Sequence, residues 1–450
     1  MKPVAMNSEK PRVEDIKVRL AEGKVGAEMH QFIADIYPIC RSLTGDGVRE
    51  TLRRIGQHIP LTIREVASGT EVFDWTIPKE WNIRDAYVKN SKGERVIDLQ
   101  KSNLHVMGYS SPVRATMSLQ DLKKHLHTLP DHPEWIPYRT SYYNETWGFC
   151  LSHRQFMDLE DGDYEVCIDA SLQNGYLTYG ECYLPGETTD EVLFSSHVCH
   201  PSLCNDNLSG IAVATWAAKQ LETTFRRYSY RFLFAPATLG PVAWLAANEH
   251  QTKRIKHGLI LACIGDAGKT TYKKIRRGNA EVDRAVATVL KHSGQEYEIT
   301  EFSPWGYDER QYCSPGFNLP VGCLMRTPNG CFPEYHTSAD NLEFVRAESL
   351  EDSLKKVMAV IEVLENNRSY LNQSPKCEPQ LGKRGLYRKV GGQAKAEDSG
   401  LAMLWVLNFS DGEHSLLDIA EKSGLPFLSL SVAAQALLQH DLLKVQPTSK

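Results

Sequence analysis

The chain has 450 residues, 42% hydrophobic and 24% charged, with a formal net charge of -5. That length exceeds one ordinary core, so two or three domains of a soluble globular protein are expected. The slight acidity removes any general electrostatic reason to bind nucleic acid or an anionic membrane, so neither is expected as a partner. Eleven scattered cysteines without a Cys-x-x-Cys pair read as reduced thiols. With no apolar secretory core after Met1 and no run long enough to cross a bilayer, a cytoplasmic protein is expected.

Along the chain, Met29, Phe32, Ile33, Ile36 and Tyr37 recur at helical spacing. A turn at Thr44–Gly47 follows, and then a second helical run through Val48, Leu52 and Ile55. Residues 1–61 are read as the N-terminal helical part of a larger domain. Residues 62–160 change texture to short alternating runs between Pro, Gly and Asn turns, which predicts an inserted β-rich domain with one helix capped by Ser118. The aromatics Trp135, Tyr138, Tyr142, Tyr143 and Trp147 within it read as core and loop anchors.

Residues 161–370 alternate strand-like and helix-like runs, the pattern of an α/β domain with a mixed sheet and helices on both faces. The basic run Lys273–Arg277 reads as a solvated loop or helix edge. Residues 371–398 read as a linker or arm. Residues 399–450 sketch a winged helix whose second helix, with no Lys or Arg, suits protein contact or core packing better than DNA.

The chemistry centres on three residues. His197 closes the apolar run Glu191–His197, and Asp206 stands in an Asn205-Asp206-Asn207 turn opening a helix. Ligands of open α/β sheets bind at the carboxyl ends of strands, where these two would meet. His336 lies far downstream in His336-Thr337-Ser338-Ala339-Asp340. Imidazole and carboxylate are zinc ligands, and catalytic sites keep one position open.

These stretches resemble the M28-type zinc aminopeptidase fold. The resemblance is closer still to a bacterial aminopeptidase-like family with domains of unknown function 4910 and 2172, an inserted β domain and a C-terminal winged helix. It covers nearly the whole chain from about residue 25, through His197–Leu203, Asn205–Gly210, Asp308–Gly316 and Pro333–Ser338. It implies zinc on His197, Asp206 and His336, and a role in surface-polysaccharide or secondary-metabolite pathways.

The chain also departs from that pattern. Cys199 stands where other members of the fold have an aspartate, Ala237 where the closer family has a glutamate, and Ala262 where a ligand aspartate ends another strand. Losing both supplementary carboxylates, one from a glutamate pair replaced within Phe234–Gly240 and one at Ala262, predicts a single zinc, with Asp266 as an extra ligand or supporting group. It also moves the search for a base to Glu334, Asp308 and Glu309. Cys199, Cys204 and Cys313 read as buried thiols. His200 is either a supporting partner or a turn residue, and Arg310 and Arg326 either clamp a substrate carboxylate or pair with a neighbouring acid.

The leading expectation is a zinc-dependent hydrolase acting on an amide, peptide or aminoacyl-type bond of a small molecule or peptide. The alternative is a catalytically degenerate zinc-containing binding or scaffold protein. The sequence also allows a homo-oligomer.

Overall fold

The computed structural model describes residues 24–386 and 394–446, with side chains described outside 394–399. Parts of the expected N-terminal segment, linker and C-terminal tail (1–23, 387–393 and 447–450) lie outside the described residues. The chain divides into two compact units, Met1–Gly278 with Glu296–Lys355 and Asn279–Gln295 with Lys356–Lys450.

The first unit is built on an eight-stranded mixed sheet: β1 (Thr62–Ala67), β2 (Tyr176–Leu184), β3 (Glu191–His197), β4 (Ser229–Ala235), β5 (Ile255–Leu261), β6 (Thr270–Lys273), β7 (Tyr297–Thr300) and β8 (Val321–Met325). Its spatial order is β1-β2-β4-β3-β5-β8-β6-β7. The four central strands β4, β3, β5 and β8 run parallel. β3 and β4 are buried along their whole length, as strands covered on both faces must be, so they read as continuous apolar runs.

The chain passes from β3 to β4 on one side and then to β5 on the other. The two crossovers diverge at the carboxyl end of β3, where His197 stands beside Ala235. That divergence opens a crevice at a topological switch point. Helices α1 (Val25–Ile36), α2 (Asp46–Gly56), α3 (Gly210–Glu222) and α4 (Leu239–Asn248) cover the sheet. Helix α1 buries Met29, Phe32, Ile33 and Ile36, the apolar stripe read from the sequence.

The β-rich insert is a four-stranded antiparallel sheet in the order Arg95–Asp98, Glu80–Lys89, Asp163–Gln173, Val113–Ser118. Two strands fall on other sides of the boundaries drawn at 62 and 160. Thr62–Ala67 is an edge strand of the main sheet, and Asp163–Gln173 belongs to the insert. Alternation looks the same in either sheet, because it reports one buried face and not which sheet provides it. Ser118 does cap a helix, accepting from Asp121 N at 3.3 Å, but that helix is one turn long, Leu119–Leu122.

The second unit has a three-stranded antiparallel sheet with Ser369–Asn372 between Asp411–Ser415 and Leu443–Val445. Helices Ala394–Phe409, Leu416–Ser423 and Phe427–Gln439 complete it. Ser415 and Asp418 form a reciprocal capping box, and Gly424 ends that helix at φ 71°, a conformation only glycine takes without strain. The central strand lies upstream of residue 399, in a segment too short and polar to announce itself as part of this unit.

Candidate metal centre

His197 leaves β3 buried at the switch point, and Asp206 follows in the loop that enters α3. The flanking asparagines explain why the loop holds still. Asn205 Oδ1 accepts from Gly265 N (2.9 Å), and its Nδ2 donates to Asp266 Oδ2 (3.0 Å). Asn207 Nδ2 donates to Ser196 Oγ (2.9 Å) and Leu261 O (3.1 Å), while its Oδ1 accepts from Cys263 N (3.3 Å). Asn207 supplies a donor and an acceptor, and Asn205 an acceptor, to backbone that no ladder can satisfy. The loop is thereby tied to the ends of β3 and β5.

Asp340 secures it from the other side. Its carboxylate accepts from Asn205 N (2.5 Å) and Asp206 N (2.9 Å), and its carbonyl accepts from Cys204 N (3.0 Å). The His336-to-Asp340 spacing therefore has a structural meaning. One segment presents an imidazole and also grips the backbone of the carboxylate it faces.

The three side chains meet. His197 Nε2 is 2.8 Å from Asp206 Oδ1, and His336 Nε2 is 2.9 Å from Asp206 Oδ2. Burial works against the charged form of Asp206, but the neighbouring imidazoles His200 and His197 and the hydrogen bonds from His197 and His336 hold its carboxyl well below the usual range. A ring nitrogen of His200 joins the ligand atoms of His197 and Asp206, all within 4.8 Å of one another.

Neutral imidazole and ionised carboxylate are donors zinc accepts. Tetrahedral donors at about 2.0–2.1 Å from zinc stand about 3.3 Å apart, a few tenths more than the separations here. The donor types of His197, His200, Asp206 and His336 suit the ion, and the ligand atoms of His197, His200 and Asp206 lie within 4.8 Å of one another.

Aromatic rings set the orientation of these imidazoles. Tyr307 stacks on His197 (centroids 5.2 Å, 22°) and Tyr335 on His336 (4.0 Å, 14°). Tyr138 meets both His200 (5.1 Å) and His336 (5.2 Å) edge-on. Tyr138 comes from the insert, whose backbone pairs with the metal segment: Tyr138 N donates to His336 O (2.8 Å) and Ser338 N to Ile136 O (2.9 Å). Burial pushes the phenols of Tyr138 and Tyr142 up, so they stay protonated. The sequence reading missed these two as site residues. Their only signal was aromatic density without periodicity, which core anchors share.

The remaining candidates separate. Asp308 is buried, with Oδ1 lacking a hydrogen-bond partner among the described residues. Burial, helped by Glu309 and opposed by His197, pushes its carboxyl up to about 7. Glu309 makes no well-aligned hydrogen bond but forms an ion pair with Lys273, and both are buried. It is therefore an anchor and not a free base.

Lys273 corrects the solvated reading of the basic run. It ends β6 inside the fold, where its ammonium also donates to Trp305 O (2.8 Å). Removing one partner of a buried pair strands the other charge, so Lys273→Met is expected to cost about 3–5 kcal/mol of unfolding free energy. Urea denaturation checks this, and a loss under about 1 kcal/mol would contradict the pairing.

Glu334 is half-buried in the turn before His336, its carbonyl accepting from Thr337 N (3.0 Å) and Oγ1 (2.8 Å), and it is not among the clustered ligand atoms. Asp266 is saturated by protein donors, Asn205 Nδ2, Thr327 N (3.2 Å), Thr327 Oγ1 (2.6 Å) and Gly268 N (2.6 Å), which makes it a support for Asn205 and not an extra ligand. Arg326 pairs with Asp352 (2.7 Å). Burial pushes the Cys199 thiol up to about 12 and raises Cys204 and Cys313, so none is a ready nucleophile.

Comparison with known proteins agrees with this architecture. Residues 30–367 match the family model described as Domain of unknown function (DUF4910), and residues 368–445 match a winged helix-turn-helix model. The chain belongs to the DUF4910 family. A Clostridium acetobutylicum relative of this member is 56% identical over 422 residues, covering 94% of this chain and 97% of that one. It bears the provisional name polysaccharide biosynthesis protein with aminopeptidase-like domain.

A crystal structure of a provisionally named peptidase from Clostridium acetobutylicum superposes with a TM-score of 0.92 at 54% identity, over 96% of this chain and all of that one (100%). A zinc aminopeptidase from Bacillus subtilis shares the fold alone, with a TM-score of 0.55 at 13% identity over 75% of this chain and 95% of that one. The DUF4910 chain is thus an aminopeptidase-like α/β protein with a C-terminal winged helix. Among its described residues no helix is long and apolar enough to cross a membrane.

Proposed function

We propose that this DUF4910 member is a mononuclear zinc hydrolase cutting an amide, peptide or aminoacyl-type bond, with His197, Asp206 and His336 at the metal. The observation that carries this reading is two imidazoles converging on the two oxygens of one buried carboxylate at a sheet switch point. A single ion follows from the stretch Phe234–Gly240 and from Ala262, which lack the two supplementary carboxylates a second ion would need. The name of the Clostridium relative supports a substrate met in polysaccharide biosynthesis.

Access is one-sided. The His336 side chain is 36% exposed, against 1% for His197 and 0% for Asp206, so the scissile carbonyl approaches over His336, past Tyr138 and Tyr335. When bound, zinc would polarise that carbonyl and lower the pKa of a water toward about 7. Amide hydrolysis also needs one proton taken from the attacking water and one delivered to the departing amine nitrogen. Asp308 is suited to carry that proton at Oδ1, being within electrostatic reach of His197 and Asp206 and free of a fixed partner there. Glu334, on the turn that carries His336, is the second candidate.

Turnover of aminoacyl anilides and N-acyl amino sugars, with and without chelator, tests the reading. Activity is expected in the zinc-loaded protein and is expected to vanish in His336→Ala. Activity indifferent to both would defeat it.

Asp308 also predicts a pH dependence of stability. Its carboxyl is raised from 3.8 to about 7 in the folded protein. The folded state therefore holds a proton that the unfolded chain releases above about pH 4, and the associated stability is lost as pH rises through about 7. Asp308→Asn removes that dependence, with an upper bound of about 4 kcal/mol. Urea unfolding of zinc-free protein at pH 5 and pH 8 measures it. Equal losses in parent and variant would contradict the assignment.

A further inference from the structure

We propose that His200 is a third imidazole ligand of the zinc at Asp206. The inference rests on the zinc reading above and concerns which residues of this chain complete the site.

His200 sits among the ligands. Its ring centroid is 4.9 Å from that of His197 and 5.2 Å from that of His336, and a ring nitrogen lies within 4.8 Å of the ligand atoms of both His197 and Asp206. Among the described residues its ring has one polar contact, the Cys199 thiol 3.8 Å from Nδ1. His200 is half-buried, and placing an imidazole there with so weak a partner is unfavourable unless something else takes its lone pair. His336 approaches the other oxygen of Asp206, and His197, His200 and Asp206 bring their ligand atoms within 4.8 Å of one another.

The path of the chain explains why the third residue after His197 takes this place and not the second. The Cys199 thiol is turned toward Ala237 O (3.9 Å). Beyond it the backbone leaves the extended form, with Ser202 at φ 45°. The buried Arg41 guanidinium holds the turn, with Nε donating to His200 O (2.8 Å) and Nη1 to Ile36 O (2.7 Å). Tyr138 backs the His200 ring from the side of the insert.

Metal-free full-length protein titrated with Co(II), with absorption spectra and zinc competition, tests the assignment. His200→Gln is expected to weaken zinc binding by more than about 100-fold, beyond what loss of an outer-shell partner costs, and to change the ligand-field bands. His200→Cys adds a reading that does not depend on lost affinity. A thiolate-to-cobalt charge-transfer band should appear that the parent, despite Cys199, lacks. An unchanged ligand-field spectrum in His200→Gln together with no thiolate band in His200→Cys overturns the role of His200 and leaves the zinc reading standing. A parent protein that takes up neither cobalt nor zinc overturns both.

Discussion

Asp206→Asn should abolish stoichiometric zinc binding, with affinity falling well beyond the roughly 10- to 100-fold cost of an outer-shell change. The carboxylate touches both imidazoles, through Oδ1 to His197 and Oδ2 to His336, and no other anion among the described residues does. An amide of the same shape keeps the volume but gives up the charge that a divalent cation needs inside a buried site. The loop should survive, because Asn205, Asn207 and Asp340 hold its backbone independently of the Asp206 side chain. Zinc content after dialysis, with thermal unfolding as the control for folding, makes the measurement. A variant that folds and retains one zinc per chain would remove the ion from Asp206.

Ala237→Glu carries the second large effect, this time as a gain. Position 237 follows the end of β4, half-buried, with its carbonyl near the Cys199 thiol beside the His cluster. Alanine there can neither take a proton from water nor give one to an amine. A positioned general acid–base is worth about two to four orders of magnitude in rate. With Asp308 removed, the glutamate variant is therefore expected to raise kcat for amide cleavage by about 10²- to 10⁴-fold over Asp308→Asn alone, read as initial rates at saturating substrate. Parent activity lost in Asp308→Asn and regained in the double variant would show that proton transfer runs through Asp308. Activity only in the glutamate variant would instead favour a degenerate site.

Much of this architecture was legible because the signals were local. His197 ends a seven-residue apolar run, and the Asn-Asp-Asn turn before Ser209-Gly210 marks a strand-to-helix passage. The partners of that turn were not legible. Asp340 looked like the tail of a motif, yet it binds two backbone donors more than a hundred residues away. His200 and Tyr138 carried no pattern at all, since their proximity comes from a kinked loop and from an insert segment pairing beside His336.

Lys273 was misread for a related reason. A charge run implies solvent only when no buried acid waits for one member of it, and Glu309 does. Sheet membership at the insert boundaries failed likewise, because alternation records a buried face without naming the neighbour.

The most direct measurement is anomalous X-ray scattering at the zinc edge from crystals of the protein purified without chelator. This account predicts one zinc peak per chain, bounded by the Asp206 carboxylate and the imidazoles of His197 and His336. A peak confined to other side chains, or none after soaking in zinc, would contradict it.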